Sequence, residues 1–287
     1  MRSLTHAVFI KGFTTFTPRA AGMPGTRCEA FTSSKYWFKV VASGFVRGGD
    51  LSILSDAWVV GLGTGFTTFP KILSEVGSVE DVTGGAHVFR TYNVSLSGRK
   101  VTVVVSAGGS GYAEVIVAMA SERGVKALIG VGLCGALSDE LSIGDVVIPT
   151  GSVREDCLTD RYVPPGYPAT PDYGLLKELE ESLRRYGLNP IPGTIVTTAS
   201  TFTESREWAE NHRRRGVLCV ECEASVIFTL ARLCRIPSAI ALVVSDSVIK
   251  EEEAFTGGEA RARMRRTLEL VTRAALDASA SFAELSH

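Results

Sequence analysis

A chain of 287 residues, 45% hydrophobic and 21% charged, has the composition of an ordinary soluble globular protein and is long enough for one large α/β core. Thirty basic against thirty-one acidic residues leave a formal net charge of −1, which argues against nucleic acid or an anionic membrane as partner. The six cysteines lack the dense pairing of a secreted scaffold, and none of the four histidines sits at metal-ligand spacing from a cysteine. Reduced thiols, a cytoplasmic setting and no metal site are therefore expected.

The first fifty residues are rich in Gly, Thr, Pro and Arg and read as an irregular extension, with β-like pieces at 7–10 and 36–41. The patch at 7–10 is broken by Lys11 and is too short for a signal peptide, and no run approaches the roughly 18 apolar residues of a membrane span. Residues 51–287 read as a single domain. Within it, residues 57–60 predict a strand, Gly61-Leu62-Gly63-Thr64-Gly65 a tight turn, and 70–76 a helix with Pro70 near its start. Strand-like runs at 86–96 and 100–105 flank the turn Ser97-Gly98-Arg99. Gly108-Gly109-Ser110-Gly111, a helix over 112–123 and a strand over 125–131 complete a βαβ rhythm.

Further along, strands are predicted at 143–150, 193–198 and 238–244, and helices at 175–186, 205–214, 224–234 and from about 259 onward. Met264, Leu268, Val271 and Ala275 give the last helix its apolar stripe. The proline-rich stretch 160–170 is a loop, and no internal repeat is present.

Two places put carboxylates where a core should have none. Val217-Leu218-Cys219-Val220 leads into Glu221-Cys222-Glu223, and the apolar strand 239–244 ends in Ser245-Asp246. Carboxylates at the mouths of buried elements face a ligand or a cation, because an unpaired buried charge is costly. The glycines of 108–111, entering a helix, can present backbone N–H groups and a positive dipole end to an anion. Gly61-Leu62-Gly63-Thr64-Gly65 is not a dinucleotide fingerprint, since Phe66 takes the position of its last glycine.

These residues carry a resemblance. Glu221-Cys222-Glu223-Ala224 resembles the Glu-Met-Glu-Ala ribose-binding motif of the nucleoside phosphorylase and nucleoside hydrolase superfamily, and Ser245-Asp246 resembles the Ser-Asp of its purine branch. Gly130-Val131-Gly132-Leu133-Cys134-Gly135-Ala136 is similar to its Arg-x-Gly-(Ser/Thr)-x-Gly-Ala segment, and Ala199-Ser200-Thr201-Phe202 to the segment that supplies a base-stacking ring. The similarity covers about residues 55–280.

The resemblance implies a three-layer α/β fold, a central mixed sheet flanked by helices. It also implies a homo-oligomer, dimer or hexamer, that cleaves nucleosides with phosphate as co-substrate and no cofactor. Phe202, Glu221, Cys222 and Glu223 would hold the nucleoside, and Asp246 would protonate the leaving base. Gly65, Arg90, Gly108, Gly109 and Gly130 would border the phosphate. The sequence departs from the family at the anion: Gly65, Gly130 and His87 stand where three arginines are usual, and Leu133 where a hydroxyl is. Either other arginines (Arg90, Arg154, Arg19, Arg27) rebuild the site, or water attacks, or the scaffold binds without catalysis. A uridine phosphorylase is a further alternative, its uracil-reading glutamine falling at Arg206.

Overall fold

The computed structural model of the chain describes residues 28–32, 35–63, 68–85 and 88–285. Gly65, His87, Arg19, Arg27 and the piece at 7–10 lie outside them. The described strands are β1 Ala57–Leu62, β2 Ser78–Asp81, β3 Phe89–Leu96, β4 Arg99–Ser106, β5 Ala127–Ala136, β6 Val146–Glu155, β7 Ile191–Thr198, β8 Cys219–Glu221, β9 Ser238–Ser247 and β10 Glu252–Glu253. The helices are α1 Lys35–Phe45, α2 Thr68–Ser74, α3 Ser110–Arg123, α4 Tyr173–Arg185, α5 Arg206–Arg214, α6 Ala224–Leu233 and α7 Gly258–Leu285.

All ten strands form one mixed sheet in the order β10-β9-β6-β7-β8-β5-β1-β4-β3-β2. Because β5 also pairs with β9, the strands β5, β9, β6, β7 and β8 close on themselves, while β1 to β4 extend as an open wing. The expected central mixed sheet flanked by helices is what the chain forms. One face carries α1, α3 and α6 over Trp58, Val60, Leu128 and Ile240, and the other carries α2, α4 and α7 over Val59, Val103, Ile129 and Val243.

The glycines of β5 make the closure possible. A Cβ on Gly130 would lie 2.9 Å from both Leu62 and Ile240, and one on Gly132 would lie 3.1 Å from Leu62. These contacts let β1 and β9 pack tightly on either side of β5, and they carry β5 five residues past its predicted end at 131. Strands β1, β4, β5 and β9 run parallel, so their C-terminal ends share one edge, the usual place for a ligand in such sheets.

Two expectations are corrected. Residues 36–41 are helical, within α1, although Tyr, Trp, Phe and Val favour strands. Burial decides the matter: Phe38, Ala42 and Phe45 recur at helical spacing, and the Phe45 ring stacks on Trp58 at 5.6 Å. The cysteines are also not all reduced, for Cys28 and Cys234 form a disulfide across 206 residues of chain, while Cys134, Cys157, Cys219 and Cys222 are free. Two cysteines so distant in sequence gave no pairing signal.

The bridge ties the segment before α1 to the end of α6, and a cross-link of this kind typically stabilises by about 2–5 kcal/mol. Cys28→Ser is expected to lower the thermal midpoint, and a reductant should lower it equally in the parent but not in the variant. Identical midpoints for the parent with and without reductant would show that the bridge contributes nothing.

Candidate active site

Glu221 ends β8 with its carboxylate turned inward, 5% exposed. One oxygen accepts from the Thr197 hydroxyl, and the other accepts from the backbone N–H groups of Glu223 and Ala224, each at 2.7 Å. Thr197 Oγ1 in turn accepts from Ser225 N at 2.8 Å and bonds the Ser152 hydroxyl at 2.8 Å. Both oxygens of Glu221 are thus engaged in fixing the first turn of α6, whose orphan N–H groups need acceptors. Burial, then the charge of Glu223, pushes its carboxyl up, and the donated hydrogen bonds pull it back.

Glu223 occupies the N-cap position of α6 but does not cap it. Its side chain reaches across to α3, where Oε1 accepts from the backbone N–H of Gly109. Ser110 Oγ completes the link by donating to Cys222 O at 3.1 Å. Gly108 and Gly109 have φ of 93° and 99°, a region that favours glycine. A Cβ on Gly108 would sit 2.9 Å from Gly63 Cα and 3.2 Å from Glu223 Oε1, so the close approach of the two glycine loops is a steric requirement. The glycine loop read as an anion cradle and the carboxylate read as a sugar ligand therefore meet at one point. Burial raises the Glu223 carboxyl, and the bond from Gly109 opposes it.

Cys222, between the two glutamates, is partly exposed, and burial followed by Glu223, Glu221 and Glu204 pushes its thiol up to about 12. It presents a neutral, polarisable surface. Asp246, near the end of β9, is in register with Gly135 of β5 and Glu253 of β10. The missing Cβ of Gly135 gives it room, since that atom would lie 2.9 Å from Asp246 Oδ2. Burial raises the Asp246 carboxyl, Ser245 Oγ at 2.6 Å lowers it, and Glu253 raises it again.

Phe202 lies on a 3₁₀ turn, Thr201–Thr203, and its side chain is fully exposed, so it is no core ring. Glu204, which follows that turn, belongs to the same group of residues. The charge of Asp246 acts on it, and its own acts on Cys222. Sequence reasoning passed over it, although a carboxylate two residues after the expected base-stacking ring was a usable signal. Gly63 was likewise read only as part of a turn.

Other candidates lie elsewhere. Gly130 is in the interior of β5, paired with Val60 and Ile240 and sealed by Leu62, with no room for an anion. Arg154 is committed to a loop, donating to Thr159 Oγ1 at 2.9 Å, to Pro164 O and Tyr167 O, and to Asp160 at 2.5 Å. Arg90 is exposed on β3 opposite Val105, one pair from the end of β4 that leads into the Gly108 loop. Arg206 forms an ion pair with Glu251 at 3.4 Å. Among the described residues no group of His, Cys, Asp and Glu is arranged to hold a metal ion, and no helix is long and apolar enough to cross a membrane.

Residues 57–276 of this sheet, with its glycine loops and buried carboxylates, match the family model of the phosphorylase superfamily, to which the chain belongs. It is 32% identical over 144 residues to a guanosine phosphorylase of Halorubrum lacusprofundi, a match covering 50% of this chain and 60% of that protein. It is 30% identical over 188 residues to a purine nucleoside phosphorylase DeoD-type 2 of Vibrio vulnificus, covering 65% of this chain and 77% of the relative. The fold is shared with the uridine phosphorylase of Vibrio fischeri ES114 (TM-score 0.71, 21% identity, 79% of this chain and 94% of that one). It is also shared with the purine nucleoside phosphorylase of Toxoplasma gondii solved with immucillin-H (TM-score 0.72, 16% identity, 82% and 94%).

The steric contact at Gly108 is directly testable. Gly108→Ala should leave the circular dichroism of the protein unchanged while lowering its catalytic efficiency by about tenfold or more, since a displacement of order 1 Å at a site typically costs such factors. Full activity in the variant would show that the two glycine loops need not touch.

Proposed function

We propose that the protein is a nucleoside phosphorylase, a pentosyltransferase that cleaves the N-glycosidic bond of a purine nucleoside with phosphate as co-substrate and no other cofactor. The observation that carries this reading is the buried Glu223 carboxylate, held through Oε1 by Gly109 N–H. A carboxylate so fixed can accept hydrogen bonds from the hydroxyls of a ribose, with Cys222 beside the sugar. Phe202 then stacks on the base, and Asp246 protonates it as the bond breaks through an oxocarbenium-like transition state. The names of the guanosine and purine nucleoside relatives support a purine, as does Arg206, whose partnership with Glu251 occupies the residue at the uracil-reading position. Glu221 serves the substrate indirectly, by fixing the turn that carries Glu223.

The phosphate would lie by Gly108 and Gly109, with Arg90, one pair from the end of β4, as the arginine that reaches it. A hydrolytic reading is favoured by one observation: Gly109 N–H already serves Glu223, and Gly130 and Arg154 are closed to an anion. In this reading residues 51–287 act as one domain with 1–50 as an extension. The protein works as a homo-oligomer, dimer or hexamer, for which the exposed Tyr36, Trp37 and Val40 of α1 offer an apolar face.

Incubation with purine nucleosides, with and without phosphate, tests the proposal. Release of free base only with phosphate is the expected outcome, and equal release without it means hydrolysis. Arg90→Ala should raise the phosphate requirement about tenfold, the loss of one charge-assisted donor.

Glu223→Gln is expected to lower turnover by roughly tenfold to a thousandfold, about 1.4 to 4 kcal/mol of transition-state stabilisation, in a folded protein. Wild-type turnover would remove Glu223 from the site. Asp246→Asn should impair a purine nucleoside far more than a nitrophenyl riboside, whose leaving group needs no proton. Equal losses on the two substrates would make Asp246 structural.

A further inference from the structure

Phe202 is exposed over its whole surface, so packing does not hold its ring, and its place depends on the backbone of residues 199–205. That backbone is bracketed by one residue. Glu155, at the end of β6, is in register with Thr198 of β7, and its carbonyl oxygen accepts from the backbone N–H of Ala199 at 3.2 Å, where the loop begins. Its carboxylate reaches the far end. There Oε2 accepts from Trp208 Nε1 at 3.0 Å, and Oε1 lies 3.1 Å from His212 Nε2. Trp208 and His212 both belong to α5, the helix into which the loop runs, and their rings meet at 4.4 Å.

Between the two anchors the loop is closed by local bonds. Ser200 O accepts from the backbone N–H of Thr203 at 3.2 Å and from its hydroxyl at 2.8 Å, and Ser205 Oγ caps α5 by accepting from Trp208 N at 3.1 Å. The His212 side chain is buried, and its Nδ1 has no hydrogen-bond partner among the described residues. A buried polar atom left unpaired is costly, and the contact of Nε2 with the second oxygen of Glu155 offsets that cost. Asp156, the next residue, turns the other way and accepts from Ser225 Oγ of α6. The end of β6 thus sends one carboxylate to the helix that follows Glu223 and one to the helix that follows Phe202. The other tie of this region, Arg206 to Glu251, joins two largely exposed side chains and contributes little in water.

We propose that Glu155 is the positioning residue for the base: by holding both ends of the 199–205 loop it sets the place of Phe202, and through Phe202 the affinity for the nucleoside. The proposal deepens the nucleoside-cleaving reading given above, on which the base-stacking role of Phe202 rests. A stacking contact is made alike before and during bond cleavage, so its loss weakens binding and leaves the chemical step in place. Glu155 acts through the loop and not on the substrate.

A double-mutant cycle tests this. Glu155→Ala should raise KM for a purine nucleoside about tenfold while kcat stays within about twofold. Trp208→Phe, which keeps a ring beside His212 but removes the N–H donor, should raise KM by roughly threefold, the loss of one hydrogen bond. In a protein that already carries Phe202→Ala, Glu155→Ala should change KM by less than about twofold, because the residue through which it acts is gone. Equal KM losses in both backgrounds, or a fall in kcat with KM unchanged, overturn the proposal. Should Glu155→Ala fail to fold by circular dichroism, the cycle is run with Trp208→Phe in its place.

Calorimetric titration with a purine nucleoside gives the same cycle in Kd without turnover. If the wild type releases no base with or without phosphate, the catalytic reading fails, and the Kd cycle still decides the role of Glu155. Losses that vanish in the Phe202→Ala background support it, and additive losses overturn it. A wild type that neither binds nor cleaves nucleosides overturns both.

Discussion

The carboxylate of Glu221 is the constraint around which the site is organised. Buried almost completely, it survives because a threonine hydroxyl and two backbone N–H groups surround it. An unsatisfied carboxylate there would be costly, so the bonds hold β7, β8 and the start of α6 in one arrangement. That arrangement sets the direction in which Glu223, two residues on, leaves the chain. Asp156 reinforces it from the other side, accepting from Ser225 Oγ at 2.5 Å and from the backbone N–H of Thr159 at 2.6 Å. One glutamate of the Glu-x-Glu pair thus builds the helix, and the other turns toward the Gly109 N–H of the facing loop.

The second requirement is closeness. Gly63, Gly108, Gly130, Gly132 and Gly135 each sit where the nearest neighbour of an added Cβ would be between 2.9 and 3.9 Å away. At Gly130 and Gly132 the space goes to the packing of β1 and β9, at Gly135 to Asp246, and at Gly63 and Gly108 to the meeting of two loops with Glu223. The sheet closes and the carboxylates converge for the same reason, the absence of side chains along β5 and its neighbouring loops. The apolar faces around them, with Trp58, Ile129 and Phe228 fully buried, keep the strand ends fixed.

Much of this was legible from residue pattern. The alternation of apolar runs and glycine turns gave the βαβ order, and the two acidic interruptions marked Glu223 and Asp246. What the pattern hid was three-dimensional. The aromatic run 36–41 looked extended because its residue types suit strands, and only the burial of Phe38, Ala42 and Phe45 makes it a helix. The three-residue β8 was too short to announce itself, yet it closes the barrel-like half of the sheet. Gly130 matched a motif position that usually points at phosphate, whereas here the packing of Leu62 and Ile240 fills the space. Glu204 stood in plain view beside Phe202, but nothing in its local spacing connected it to a residue more than forty positions away.

The departure from the family's residue pattern lies at Gly65, His87 and Gly130, where arginines are usual, while Glu221-Cys222-Glu223-Ala224 and Ser245-Asp246 follow it. A structure determined with a purine ribonucleoside and phosphate bound tests the central claim most directly. The account predicts the ribose hydroxyls on the Glu223 carboxylate with Gly109 N–H still on Oε1, the base over Phe202, and its N7 turned toward Asp246. A sugar bound away from Glu223, or a Glu223 side chain detached from Gly109 in the complex, would contradict it.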